Sequence, residues 1–170
     1  FLKTATGFEI TCDVCSSAQR TPAANLGLDL AINDANDLFL DDAGNLATVS
    51  GLQALPQKIK LCLSTPRGAM PFHPEFGSRL VEYFSEFKGS PWLDRLIHLD
   101  VIRMACIPYL DPHLGDKHTQ LQSVRRVLRV EQTASASSKS LIEFRMRLEV
   151  EGVGEWVTSA QVSVAEPERY

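Results

Sequence analysis

Between Leu141 and Val150 every second residue is apolar: Ile142, Phe144, Met146, Leu148 and Val150 alternate with Glu143, Arg145, Arg147 and Glu149. A two-residue period puts one set of side chains on a buried face and the other in water, so this segment reads as a half-buried strand. Val124–Gln132 before it and Glu155–Val164 after it read as its neighbours, joined by a loop at Thr133–Lys139 and a turn at Gly152–Gly154. Upstream the period changes to that of a helix. Leu52, Leu55, Ile59, Cys62 and Leu63 share one helical face. Ser50 and Gln53 have the spacing of a capping box. Pro56 lacks an N–H, so the helix is expected to start near Leu55 or bend there. Ser78–Phe87 reads as a second helix, with Leu80, Tyr83, Phe84 and Phe87 on one side. Ser90-Pro91 is a helix start, and Leu93, Leu96, Ile97, Val101 and Met104 form the stripe of a third helix that Pro108 ends. Near the front, Leu28, Leu30 and Ile32 alternate, and Asp37–Leu46 reads as strand, turn, strand, with Gly44 free to take positive φ. Ala69–Gly77 holds two prolines and a glycine and reads as an irregular loop of fixed shape, and Tyr109–Thr119 as a polar loop.

The sum is an α+β domain over residues 28–165: a mostly antiparallel sheet, made of an N-terminal hairpin and a C-terminal three-stranded meander, with about three helices on one face. Residues 1–27 lack a clear period and read as an arm or linker with a short strand near Phe8–Thr11; residues 166–170 read as a tail.

Composition narrows the function more than the fold. The 170 residues are 44% apolar and 22% charged, ordinary for a soluble globular protein. A net charge of −4 argues against a general nucleic-acid binder, which needs a basic excess to displace counterions from phosphates. No apolar run approaches the roughly 20 residues that span a bilayer, so neither nucleic acid nor membrane is an expected partner. Four cysteines, Cys12, Cys15, Cys62 and Cys106, are too few for a disulfide scaffold in a chain of this size, and no signal-peptide pattern is present; a cytosolic, reduced protein is expected. Cys62 and Cys106 sit among apolar neighbours and read as buried thiols.

One stretch carries more than periodicity. Asp37, Leu38, Leu40, Asp41, Gly44 and Leu46 are followed by Ser50 and Gly51, by Gln57 in the middle of a helix, by Leu63, Thr65 and Gly68, and by Pro74, Phe76, Gly77 and Ser78. That order and spacing resembles the phage baseplate wedge family that includes the T-even gene-25 product and the W protein of P2-like phages, with the type VI secretion sheath-initiator subunit more distant. The resemblance covers roughly residues 28–165. It departs from the family at Asn45, where the hairpin usually has Asp, and at Leu121-Gln122-Ser123, where relatives carry Glu-Pro-Arg before the meander. The resemblance implies a structural baseplate wedge component that performs no chemistry and needs no cofactor. Its implied work is to join wedge subunits and to initiate the sheath of a contractile tail or injection machine. Its implied partners are other baseplate wedge proteins and the tail sheath protein, with hub or tube proteins behind them, and its implied location is the virion tail baseplate after synthesis in the host cytoplasm. The implied final step is β-strand addition, in which an unpaired sheet edge offers backbone donors and acceptors to an incoming strand. The alternative is a small adaptor or regulator domain of the same fold that binds a single protein partner.

The chemical alternatives are weaker. Cys12-x-x-Cys15 has the spacing of half a zinc site, but zinc needs about four ligands, and His73, His98, His113 and His118 are scattered. No metal and no cofactor are expected. Some members of the resembling family carry the word lysozyme, and glycoside hydrolysis needs two carboxylates at a fixed separation. Asp41 and Asp42 are adjacent in a turn and Glu75 lies in a loop, so the chain is not expected to be an enzyme. The remaining candidates concern protein contacts. Arg125, Arg126 and Arg129 either meet an acidic partner or form a solvated strand face. Pro74, Glu75, Phe76 and Gly77 form either a docking loop or a loop that closes the core. Trp156 reads as an interface anchor, and Trp92 equally as anchor or core. A proline within Leu141–Val150 is expected to abolish assembly by distorting the edge.

Overall fold

The computed structural model describes residues 20–33, 35, 37–110, 117–133 and 141–164, and the backbone of 2–4 and 7–9. In chain order the elements are β1 (Leu2–Thr4), β2 (Gly7–Glu9), β3 (Asp29–Leu30), β4 (Thr48–Val49), α1 (Ala54–Ser64), α2 (Leu80–Phe87), α3 (Leu93–Cys106), β5 (Tyr109–Leu110), β6 (Lys117–His118), β7 (Val124–Gln132), β8 (Leu141–Val150) and β9 (Gly154–Ser163). The fold is α+β. β7, β8 and β9 form an antiparallel sheet in that order, so the alternating segment Leu141–Val150 is its central strand. β1 and β2 pair with each other, so the strand expected near Phe8–Thr11 is Gly7–Glu9, with Ile10 and Thr11 outside the described residues. The loop at Thr133–Lys139, the tail at 166–170, Cys12, Cys15 and His113 also lie wholly or largely outside them.

The core forms where the sheet and helices meet. Ile142, Phe144, Met146, Leu148 and Val150 are all buried, and their register partners on the same face, Val162, Ala160, Thr158, Trp156 and Gly154, extend that face across β9. α1 supplies Leu55, Ile59, Cys62 and Leu63, and α3 supplies Leu93, Ile97, Val101, Met104 and Ala105. Pro56 does not bend α1. With the helix beginning at Ala54, the proline sits in the first turn, where an N–H would have no helical acceptor. α3 ends at Cys106, two residues before Pro108.

Some expectations change. Ser50 precedes a 3-10 turn at Gly51–Gln53 but makes no capping hydrogen bond through its side chain, so the capping box is not formed. The segment Tyr109–Thr119, expected to be a polar loop, contains the two-strand pairing of β5 with β6. The packed part of the chain also reaches back to Arg20, ahead of the expected boundary at Leu28. Ala23 and Leu26 are buried in the core, Ala23 donates its N–H to the Glu151 carbonyl at 2.9 Å, and Arg20 reaches the Ala105 carbonyl and, at 3.0 Å, the Thr119 hydroxyl.

The N-terminal hairpin region is a thin sheet laid beside α1. β3 pairs with β4, and single bridges join Ile32 to Leu38 and Leu40 to Leu46. Its tip is built as expected: Gly44 has φ 81, and one Asp41 carboxylate oxygen accepts from the N–H groups of Ala43 and Asn45, each at 2.9 Å. Gln57 ties this sheet to the helix like an added strand. Its Nε2 donates to the Leu30 carbonyl at 2.8 Å, and its Oε1 accepts from the Ile32 N–H at 2.9 Å.

Candidate protein interface

The loop holding Pro74, Glu75, Phe76 and Gly77 is locked from beneath. Ser78 pairs with Pro66 in a parallel bridge, donating its N–H to the Thr65 carbonyl while Arg67 donates to the Ser78 carbonyl, both at 2.8 Å. Gly77 is buried at φ 95, and a Cβ there would stand 2.3 Å from the Thr65 carbonyl oxygen, so only glycine fits. Gln120, from the turn before β7, accepts from the Gly77 N–H at 3.0 Å and donates to the Glu75 carbonyl at 2.8 Å. Asp100 on α3 is 3% exposed. It accepts from the Arg79 N–H at 2.8 Å and from Arg103 Nε at 2.7 Å, and Arg103 in turn donates to the Gly77 carbonyl. The Asp100 carboxylate, the Gly77 N–H and the Gln120 amide are therefore matched, which a low-dielectric site requires. Above the loop lies a groove of about 430 Å³ lined by Phe72, Ile107, Pro108, Arg67 and Arg103 among others. Arg67 is paired with Glu75 across it. The loop thus closes the core, and Pro74 and Glu75 are its exposed part.

The three arginines of β7 lie on the water-facing side, each beside a glutamate: Arg125 with Glu151 at 3.3 Å, Arg126 with Glu149 at 3.7 Å, and Arg129 with Glu131. Exposed pairs of this kind contribute little to stability, about 0–1 kcal/mol each. Across the same face Arg147 pairs with Glu155, and that guanidinium holds the Glu155 carboxyl below its ordinary range. Trp156 is on the opposite face, half-buried and packed against the core beside Leu148. Trp92 is the exposed tryptophan, at 58%, with the Arg95 guanidinium stacked over its ring at 5.1 Å. The sequence candidates therefore occupy separate places: the arginines on the wet face of the sheet, Trp156 beneath it, and Pro74–Gly77 at the junction of α1 and α2.

Two surfaces escaped the sequence reading. The first is the outer edge of β9. β9 pairs with β8 through ten successive register pairs without a shift, whereas β7 pairs with β8 through two register shifts, between Val124 and Arg126 and between Val127 and Arg129. Among the described residues no strand pairs with the outer side of either. Beside β9 runs a groove of about 550 Å³, lined among others by Ser159–Gln161, by Glu143 of β8, by Pro56, Gln57 and Lys60 of α1, and by Ala31–Asn33. The second is the N-terminal hairpin, whose large apolar side chains stand in solvent. The triplet Leu121-Gln122-Ser123, at the place of the family's charged triplet, is core: Leu121 and Ser123 are buried, and Glu151 donates its N–H to the Ser123 carbonyl at 2.7 Å.

Burial pushes the Cys62 thiol up to about 12 and also raises that of Cys106. Among the described residues no group of three or more His, Cys, Asp or Glu is placed to hold a metal, and no helix is long and apolar enough to cross a membrane.

No protein-family profile and no curated protein matches this sequence. Among solved structures, a Geobacter sulfurreducens protein described as a candidate tail lysozyme is similar over 77% of this chain and 99% of its own, at 14% identity and a TM-score of 0.47. At that identity and score the likeness carries no argument.

Proposed function

We propose that this chain is a structural component of a contractile tail or injection machine, a baseplate wedge subunit that seeds the sheath by accepting a partner strand on β9. The observation that carries the reading is the inequality of the two sheet edges. β7 is bulged twice and lined with arginines, the devices by which proteins keep an edge from pairing. β9 is regular over its whole length, and a groove beside its middle leaves room for the side chains of an added strand. The Asp37–Ser78 pattern supplies the kind of machine, and the edge supplies the mode of contact. A hydrolytic role fits the carboxylates poorly: Asp41 accepts two backbone N–H groups in its own turn, and Glu75 is held by Arg67.

The proposed docking strand is not the one the alternation singled out. β8 is paired on both sides, so a proline in Leu141–Val150 breaks the sheet itself and cannot report on strand addition. Successive N–H groups of an edge strand point alternately inward and outward, so of Thr158→Pro and Ser159→Pro one removes a β8 bond and the other only an outward donor. The variant that keeps its melting temperature is expected to enter particles and fail to grow sheath. Full-length sheath on particles that carry it overturns the proposal.

A further inference from the structure

We infer that the hairpin between Leu28 and Leu46 is a docking finger for a protein partner that presents an apolar cleft rimmed by lysine and arginine. Leu28, Leu30, Leu38, Phe39, Leu40 and Leu46 are all exposed, Leu28 at 71% and Leu40 at 61%. The hairpin has no core of its own: of residues 37–46 every one is exposed, and Ala47 is the first buried. Soluble surfaces rarely gather so many large apolar side chains without a partner to cover them. The backbone is nonetheless held firmly, by Gln57 at its base and by the Asp41 turn at its tip. Apolar residues on backbone tied down in this way, at Leu30–Ile32 and at the Asp41–Asn45 turn, are suited to docking because little order is lost there on binding.

Charge identifies the occupant. Between Arg20 and Lys58 the sequence contains no Lys, Arg or His, but five aspartates: Asp29, Asp34, Asp37, Asp41 and Asp42. Lys58 neutralises Asp29 at 3.3 Å, and among the described residues Asp37 and Asp42 have no cation beside them. A basic rim on the partner satisfies this field, and an acidic one is repelled. An anionic lipid surface is disfavoured for the same reason. A second copy of this chain also fits poorly. The chain carries net charge −4, and the arginines flanking its own apolar groove are committed, Arg67 to Glu75 and Arg103 to Asp100.

The test places the photo-crosslinker p-benzoylphenylalanine at Phe39 of the full chain, in the cell that makes it. The expected product is a single foreign protein, captured at an apolar segment flanked by Lys or Arg. Asp37→Lys with Asp42→Lys should cut the yield about tenfold or more, as like charges meet across the contact. Leu38→Ser with Leu40→Ser should abolish it while leaving the melting temperature unchanged, because both side chains are exposed. Capture of a second copy of the chain, of lipid, or of an acidic or uncharged segment overturns the inference, as does the absence of any product. The β9 proline variants should leave this crosslink intact, so a failure of strand addition and a failure of the finger are separately visible.

Discussion

Replacing Gly77 by alanine tests whether the loop at Pro74–Gly77 is a lock on the core or a free docking segment. At φ 95 an alanine carries the strain of an unfavourable backbone region, about 1–3 kcal/mol. Its Cβ would also stand 2.3 Å from the Thr65 carbonyl oxygen and 3.1 Å from the Pro66 carbonyl, neither of which is the end of a flexible side chain. Relief requires the Thr65–Ser78 backbones to part. That endangers the Ser78 bond to Thr65 at 2.8 Å and the Gly77 bond to Gln120 at 3.0 Å, each roughly 1–3 kcal/mol when a buried group is left unmatched. Gly68 provides the control. It has φ 85 and no heavy atom within 4 Å of the place an added methyl would take, so Gly68→Ala carries the strain alone. The two variants should differ by about 2 kcal/mol or more, or about 4–8 °C in melting temperature for a domain of this size. Urea unfolding of both, with equal slopes, measures the difference directly. If Gly77→Ala and Gly68→Ala lose the same stability, the close approach to Thr65 is not what fixes the loop.

Asp100→Ala should cost about 3–5 kcal/mol, because it strands the half-buried Arg103 guanidinium and the Arg79 N–H, and adding Arg103→Met should recover part of that loss in chemical denaturation. The Cys62 thiol, raised from 9.0 to about 12, makes the folded state keep a proton that the unfolded state releases; stability should therefore be intact below pH 9 and fall between pH 9 and about 12. The fall should reach at most about 1.4 kcal/mol per pH unit from this group, and Cys62→Ala should remove that component from a pH series of denaturation curves. Amide exchange in the isolated chain should be slow at Ala23 and Leu26, whose N–H groups are bonded to Glu151 and Ala23 carbonyls; fast exchange there would return residues 20–27 to the arm.

The meander was legible because its two-residue period depends only on side-chain alternation: Ile142, Phe144, Met146, Leu148 and Val150 are the buried residues of β8, while Leu141, off that period, is exposed. The helices were legible from their stripes, and the end of α3 from Pro108; α3 itself starts at Leu93, with Trp92 rather than Ser90 at its N-cap. The ring of bonds joining Asp100, Arg103, Gly77 and Gln120 was not, because its members are brought together from distant parts of the chain and no local period announces a partner. One trace was available: Asp100 lies on the same helical face as Leu93, Ile97 and Met104, where a charge has to be matched. Gln57 left a similar trace, as the central Gln of the resemblance, but its bond to the Leu30–Ile32 backbone is a matter of tertiary placement.

The hairpin marks the limit of reading burial from alternation. Leu28, Leu30, Leu38 and Leu40 have the pattern of a strand that covers a core, and a sequence cannot say which of its apolar faces the chain itself will cover. In β8 the apolar face meets α1 and α3; in the hairpin the same kind of pattern meets solvent. An apolar face that is patterned like core yet left open by its own fold is most economically read as core completed by another molecule. On that reading, the surplus of aspartate along Asp29–Asp42, where among the described residues no cation stands beside Asp37 or Asp42, acts as a selectivity device: leucines give the contact its strength, and the acids decide which apolar surface is allowed to make it.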